Sequence, residues 1–221
     1  MKRILLLIMA AMPLVCSAQY KYKNVKDNDA YGKGAVVTTD EGRACVARSI
    51  TIPNMSIARI WATIDALYGK DGVALQAPAK YTETGREATL RTYQIEDELV
   101  FNRNFINSDA STMSARLIIT LNIKGNTTEC IVALDNIHYL ITTAASTTTG
   151  MPHEKWTSGY SVADSGVRIV PAEEYITDEV AYILGGGGLV RSLAKYRVCT
   201  IDYVQNIAET ISEAIQKQLD K

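Results

Sequence analysis

Histidine is the scarcest chemistry-bearing residue in this chain: the 221 residues contain two, His138 and His153. Two imidazoles so placed are too few for a histidine-based metal cluster, and neither lies in an HExxH pattern. His138 sits in strand-like "NIHYL" and reads as a packed or edge imidazole, while His153 beside Glu154 could supply at most half of an acid/base pair. Cysteine is also rare, four in all and none in a CxxC pair, so a thiolate zinc site has no basis. A GxSxG nucleophile turn is lacking. The one glycine-rich stretch, "LGGGGLVRS" at 184–192, has no lysine where a phosphate-binding loop needs one. What precedes it, "EEYITDEVAYIL", has helical and not strand spacing, so Gly185 to Gly188 read as a flexible linker.

A long apolar run is missing too. The N-terminus offers only Ile4 to Val15 behind Lys2 and Arg3, too short to span a bilayer of roughly 30 Å, and Cys16-Ser17-Ala18 supplies small residues before Gln19. That layout is a secretory signal peptide over residues 1–18 cleaved after Ala18, which places the protein in the periplasm, outside the cell or at its surface. Lipidation at Cys16 is the alternative processing route, although the residue before it is Val15 and not a small one. Without the leader, 21 basic residues stand against 24 acidic ones, a formal charge of −3. No cationic stripe is available to attract a phosphate backbone. Cys45, Cys130 and Cys199 remain, each among apolar neighbours. At most one disulfide can form among them; buried free thiols are the simpler reading.

What is present is patterned hydrophobicity. Residues 19–42 are polar and punctuated by glycine, a leader ahead of a single domain over 43–221. Arg43 to Ile52 alternates as a strand, and Pro53-Asn54 ends it. Ser56 can cap a helix whose stripe is Ile57, Ile60, Trp61, Ile64, Leu67 and Tyr68. Residues 70–87 look irregular. A strand through Leu99, Phe101 and Phe105 follows, and then the clearest one, with Leu117, Ile119, Leu121 and Ile123 on one face and Arg116, Ile118, Thr120 and Asn122 on the other. "KGNTTE" is a hairpin turn in which Gly125 and Asn126 can take positive φ, and its partner strand covers 129–141 with a bulge expected near Asp135-Asn136. Residues 142–170 form a long Thr/Ser-rich loop. Pro171 to Glu174 opens a short helix whose glutamates suit its N-terminal dipole. "RSLAKYRVCTID" is a short extended or helical piece, and the last helix, capped by Thr200 or Asp202, carries Ile201, Val204, Ile207, Ala208, Ile211, Ile215 and Leu219. A curved antiparallel sheet of about five strands with helices on one face is the α+β architecture this order predicts.

Three stretches in that order resemble a known family: "YGKGAVVTTDEGRACVARSITIPNMSIARIWATIDAL", "CIVALDNIHYLI", and "AEEYITDEVAYIL" continuing through "KYRVCTIDYVQNIAETISEAIQKQL". The family is one of exported Bacteroidetes proteins, a domain of unknown function with a TATA-binding-protein-like (TBP-like) fold. The resemblance implies the fold and no activity, so it implies no catalytic, cofactor or binding residue. With no catalytic motif and no cofactor signature, a non-enzymatic module that binds another protein or a glycan is the expected function. An exposed sheet face or the 142–170 loop, through His153, Trp156 and Tyr160, is the expected contact. A carrier of a small apolar ligand between the sheet and the C-terminal helix is the alternative, with Ala208 and Ala214 leaving room, and a hydrolase is the lesser one.

Overall fold

The computed structural model of the chain describes residues 29–68, 80–99, 111–142, 167–182 and 189–220. The leader, Phe101 and Phe105, most of the Thr/Ser-rich loop and the four glycines lie outside the described residues.

Among the described residues seven strands build one antiparallel sheet: β1 (Val37–Thr38), β2 (Ala44–Pro53), β3 (Lys80–Arg86), β4 (Leu90–Leu99), β5 (Ser111–Lys124), β6 (Thr127–Thr142) and β7 (Val167–Pro171). Their order across the sheet is β1-β2-β6-β5-β4-β3, and β7 pairs with β6 beyond the end of β2. Three α-helices accompany them: α1 (Ile57–Tyr68), the single turn α2 (Asp178–Ala181) and the 29-residue α3 (Arg191–Leu219). The α+β architecture is as the pattern predicts, with more strands than five. The additional ones are short edge segments. β1 has two residues, β3 lies in the stretch that looks irregular because Glu83 and Arg86 break its alternation, and β7 emerges at the end of the Thr/Ser-rich loop.

The central hairpin follows directly from its residues. β5 alternates buried Met113, Ala115, Leu117, Ile119 and Leu121 with Thr112 to Asn122 on the other face. Lys124 pairs with Thr127 across a two-residue turn in which Gly125 adopts φ +60° and Asn126 keeps a negative φ, the arrangement of a II′ hairpin. The expected bulge is present: between Ser114↔His138 and Arg116↔Asp135, β6 spends one residue more than β5, and Asn136 sits at φ +48°.

All the helices lie on one side. The inner face of the sheet and the stripe Ile201, Val204, Ala208, Ile211 and Ile215 of α3 form one hydrophobic core with Ile60, Trp61 and Ile64 of α1. Each such side chain taken out of water contributes roughly 1.5–3 kcal/mol. α3 is a single helix, so the break expected near Thr200 and Asp202 is absent. Both supposed caps point sideways into tertiary bonds: Thr200 Oγ1 meets Tyr139 Oη at 2.7 Å, and Asp202 accepts from Tyr31 Oη at 2.7 Å. The glutamates after Pro171 serve a different purpose too, since only a 3₁₀ turn (Ala172–Glu174) forms there and Glu173 accepts the amide of Ala44 at 2.7 Å.

Residues 29–38, which look like part of a leader, are built into the fold. The reason is one side chain. Arg197 of α3 is wholly buried, and its guanidinium donates to the carbonyls of Tyr31, Gly32 and Ile176 and to Asp178 Oδ1. Asp178 in turn accepts the amide of Gly34 at 2.7 Å, and Tyr182 Oη donates to the Tyr31 carbonyl at 3.1 Å. A charge with no water around it needs this many acceptors, and the chain at 29–34 supplies them.

Candidate functional site: the open face of the sheet

The opposite face of the sheet has no helix over it among the described residues. Its composition follows from strand alternation: every residue between two core residues of β2, β4, β5 and β6 points this way. Two central rows run across four strands. Leu90, Thr120, Ile131 and Ser49 are paired in one row, and Thr92, Ile118, Ala133 and Ala47 in the next. All eight are uncharged, and those on the three inner strands are half-buried by their neighbours alone. The rows on either side carry ion pairs. Lys124 Nζ meets Glu129 at 2.8 Å, and Arg116 Nε donates to Asp135 at 2.7 Å, which holds the guanidinium in its charged form and raises its pKa. The face is therefore a small uncharged platform between two neutralised charge pairs.

Its chemistry is selective by what it displays. The aromatic residues of the described strands, Tyr81, Tyr93 and Tyr139, all face the core. Sugar rings and bases stack on exposed aromatic faces, and the open face displays none among the described residues. Arg116 and Lys124 are spent on carboxylates, leaving little to attract a phosphate backbone. What the face displays is Thr, Ser, Ala and Ile between two ion-paired rows.

The titratable groups inside the fold are shifted away from reactivity. Burial pushes Cys130 and Cys199 up to about 12 and Tyr93 up to about 12, and it raises Tyr68 and Tyr139 further. A nucleophile needs the opposite shift. The three cysteines within the described residues are free thiols, Cys45 half-buried on the open face and Cys130 buried in the core. Among the described residues no helix is long and apolar enough to cross a membrane, and no group of three acidic, histidine or cysteine side chains is placed to hold a metal.

Of the residues singled out in the sequence, His153, Trp156 and Tyr160 lie outside the described residues, as do the glycines at 185–188. His138 is on the open face, half-buried, with Nδ1 3.0 Å from the Asn136 carbonyl across the bulge. The platform itself was partly legible, because Ile118 and Thr120 already alternate against the core residues of β5. Ala47 and Thr92 were not, since nothing local says that β2 and β4 lie on either side of the β5–β6 hairpin.

No family model matches the chain, and no curated protein does. Among solved structures, a protein of the DUF4468 family from Bacteroides ovatus aligns with 86% of this chain and 96% of its own at 23% identity and a TM-score of 0.58. A TBP-like protein from Parabacteroides distasonis aligns with 80% of this chain and 96% of its own at 16% identity and a TM-score of 0.51. At such identities the likeness is one of backbone architecture. The chain has the TBP-like α+β fold, an antiparallel sheet with its helices gathered on a single face.

Proposed function

We propose that the protein is an exported, non-enzymatic binding module of the periplasm or cell surface that engages another protein through the open face of its sheet. The observation that carries this reading is the pair of uncharged rows centred on Thr120 and Ile118, left without a helix among the described residues and framed by satisfied ion pairs. The leader at 1–18 supports export, and the raised thiol and phenol groups speak against a nucleophilic enzyme. The alternative of an apolar-ligand carrier finds no support in the packing, because Ala208 is fully enclosed and Ala214 is packed against the same continuous core as the sheet.

A photo-crosslinking amino acid placed at Thr120, with a control at Glu213 on the solvent side of α3, tests the reading in the producing cells. A discrete adduct from position 120 that disappears with Ile118→Arg, and is not seen from position 213, is the expected result. No adduct at 120, or the same adducts from both positions, rules it out.

A further inference from the structure

The two long edges of the sheet are guarded differently. β3, at one side, has a register break between Glu83 and Gly85 and carries Lys80, Glu83 and Arg86, the features that discourage another strand from adding. β2, at the other side, has no such register break and carries one charge, Arg48, from Val46 onward. Its register with β6 is unbroken from Val46↔Leu134 to Pro53↔Thr127, while β1 covers only Ala44 and Cys45. Alternate N–H and C=O groups of Val46 to Ile52 therefore point away from β6, unpaired with any described strand. The residues flanking this edge on the open side, Ala47, Ser49 and Thr51, are small, uncharged and exposed. Pro53 closes the far end, having no N–H to offer.

One charged side chain belongs to this stretch of the strand and leaves it on the helix side of the sheet. Arg48 is half-buried, and its guanidinium donates to Gln205 Oε1 at 3.1 Å, to the Ala47 carbonyl at 3.1 Å and to the Ala30 carbonyl at 3.2 Å. All three acceptors are uncharged, unlike those of Arg86, Arg116, Arg168 and Arg197, each of which meets a carboxylate. A positive charge so placed complements an acidic side chain on a strand laid against β2.

We propose that the β2 edge from Val46 to Pro53 is a strand-addition site for an extended segment of a partner protein, with a carboxylate of that segment answering Arg48. Backbone hydrogen bonds supply the affinity and Arg48 the selection. This edge adjoins the open face and shares Ala47 and Ser49 with it, but what it offers is backbone N–H and C=O groups in the plane of the sheet.

Three fluorescein-labelled heptapeptides test it on the purified protein: one alternating Thr and Val with a central Glu, its copy with Lys at that place, and the Glu peptide N-methylated at alternate amides. The Glu peptide is expected to bind about tenfold tighter than the Lys copy. N-methylation should abolish binding, and Arg48→Gln should make the Glu and Lys peptides equal without a change in the thermal melt. Failure of the Glu peptide to bind, equal binding of the N-methylated form, or a preference that survives Arg48→Gln overturns the proposal. Ala133→Lys, on the open face, should leave these affinities unchanged, so failure here does not touch the open-face reading.

Discussion

Arg197 shows how a single residue can reorganise what a sequence pattern implies. The sequence reading of "RSLAKYRVCTID" as a short extended or helical piece gives Arg197 no role, yet among the described residues it is the largest fully buried side chain and ties the start of the described chain to α3. Nothing within a helical turn of it signals this, because its acceptors at 31, 32 and 176 are remote in sequence. Arg197→Ala is expected to cost about 3–5 kcal/mol by denaturant titration, since it strands Asp178 and three carbonyls together. Apolar neighbours on both sides meant full burial for Cys130 alone, while Cys45 and Cys199 are half-buried. With thiols held up to about 12, Cys130 and Cys199 should not react with a thiol reagent at pH 8 in the folded protein and should both react after unfolding. Their linkage has a definite sign. A group whose folded pKa is raised stabilises the fold below its ordinary value, 9.0 for these thiols, and that contribution is lost as pH rises from there toward about 12. Melting temperature should therefore be level through neutral pH and fall above about pH 9.

At the scale of elements, periodicity located β2 and α1 almost to the residue, since each has an unbroken apolar alternation or stripe; it found β5 only from Arg116, although the strand begins at Ser111, and β6 to within two residues despite its bulge. It split α3 in two because Thr200 and Asp202 are good caps in isolation, and the tyrosines that occupy them come from β6 and from residue 31. It missed β3, where the inward Glu83 is paired with Arg86 and Arg86 also meets Asp65 of α1, a remote partner that no local pattern reveals. α1 is fastened to the same hairpin at Trp61, whose Nε1 donates to the Ala88 carbonyl at 2.8 Å and whose ring lies 4.3 Å from the Arg91 guanidinium. Trp61→Ala should cost about 3–5 kcal/mol of stability. Trp61→Phe, keeping most of the packing and losing the hydrogen bond, should cost nearer 1 kcal/mol; equal costs would deny that bond a role.

For the molecule as a whole, the decisive fact is that helices occupy one side of the sheet. Neighbouring residues of β5 then have opposite fates. Ile119→Lys places a charge in the core and should prevent folding, whereas Ile118→Lys, one residue away on the open face, should move stability by no more than about 0.5 kcal/mol in a chemical melt. A large loss for both would mean that the open face is covered. The two-layer arrangement was legible from the order of the elements, but which face of each strand met the helices had to come from the pairing of β2 with β6 and of β6 with β5.

The clamp around Arg197 also bears on when the chain can fold. Its bonds join positions separated by 165 and 166 residues, and the helix that carries it closes the core over β2 and β6. Until α3 has been made, α1 is the only long helix of the described residues available to cover the sheet, and residues 29–34 have nothing to grip. Native topology itself would delay closure of this core until α3 has been made.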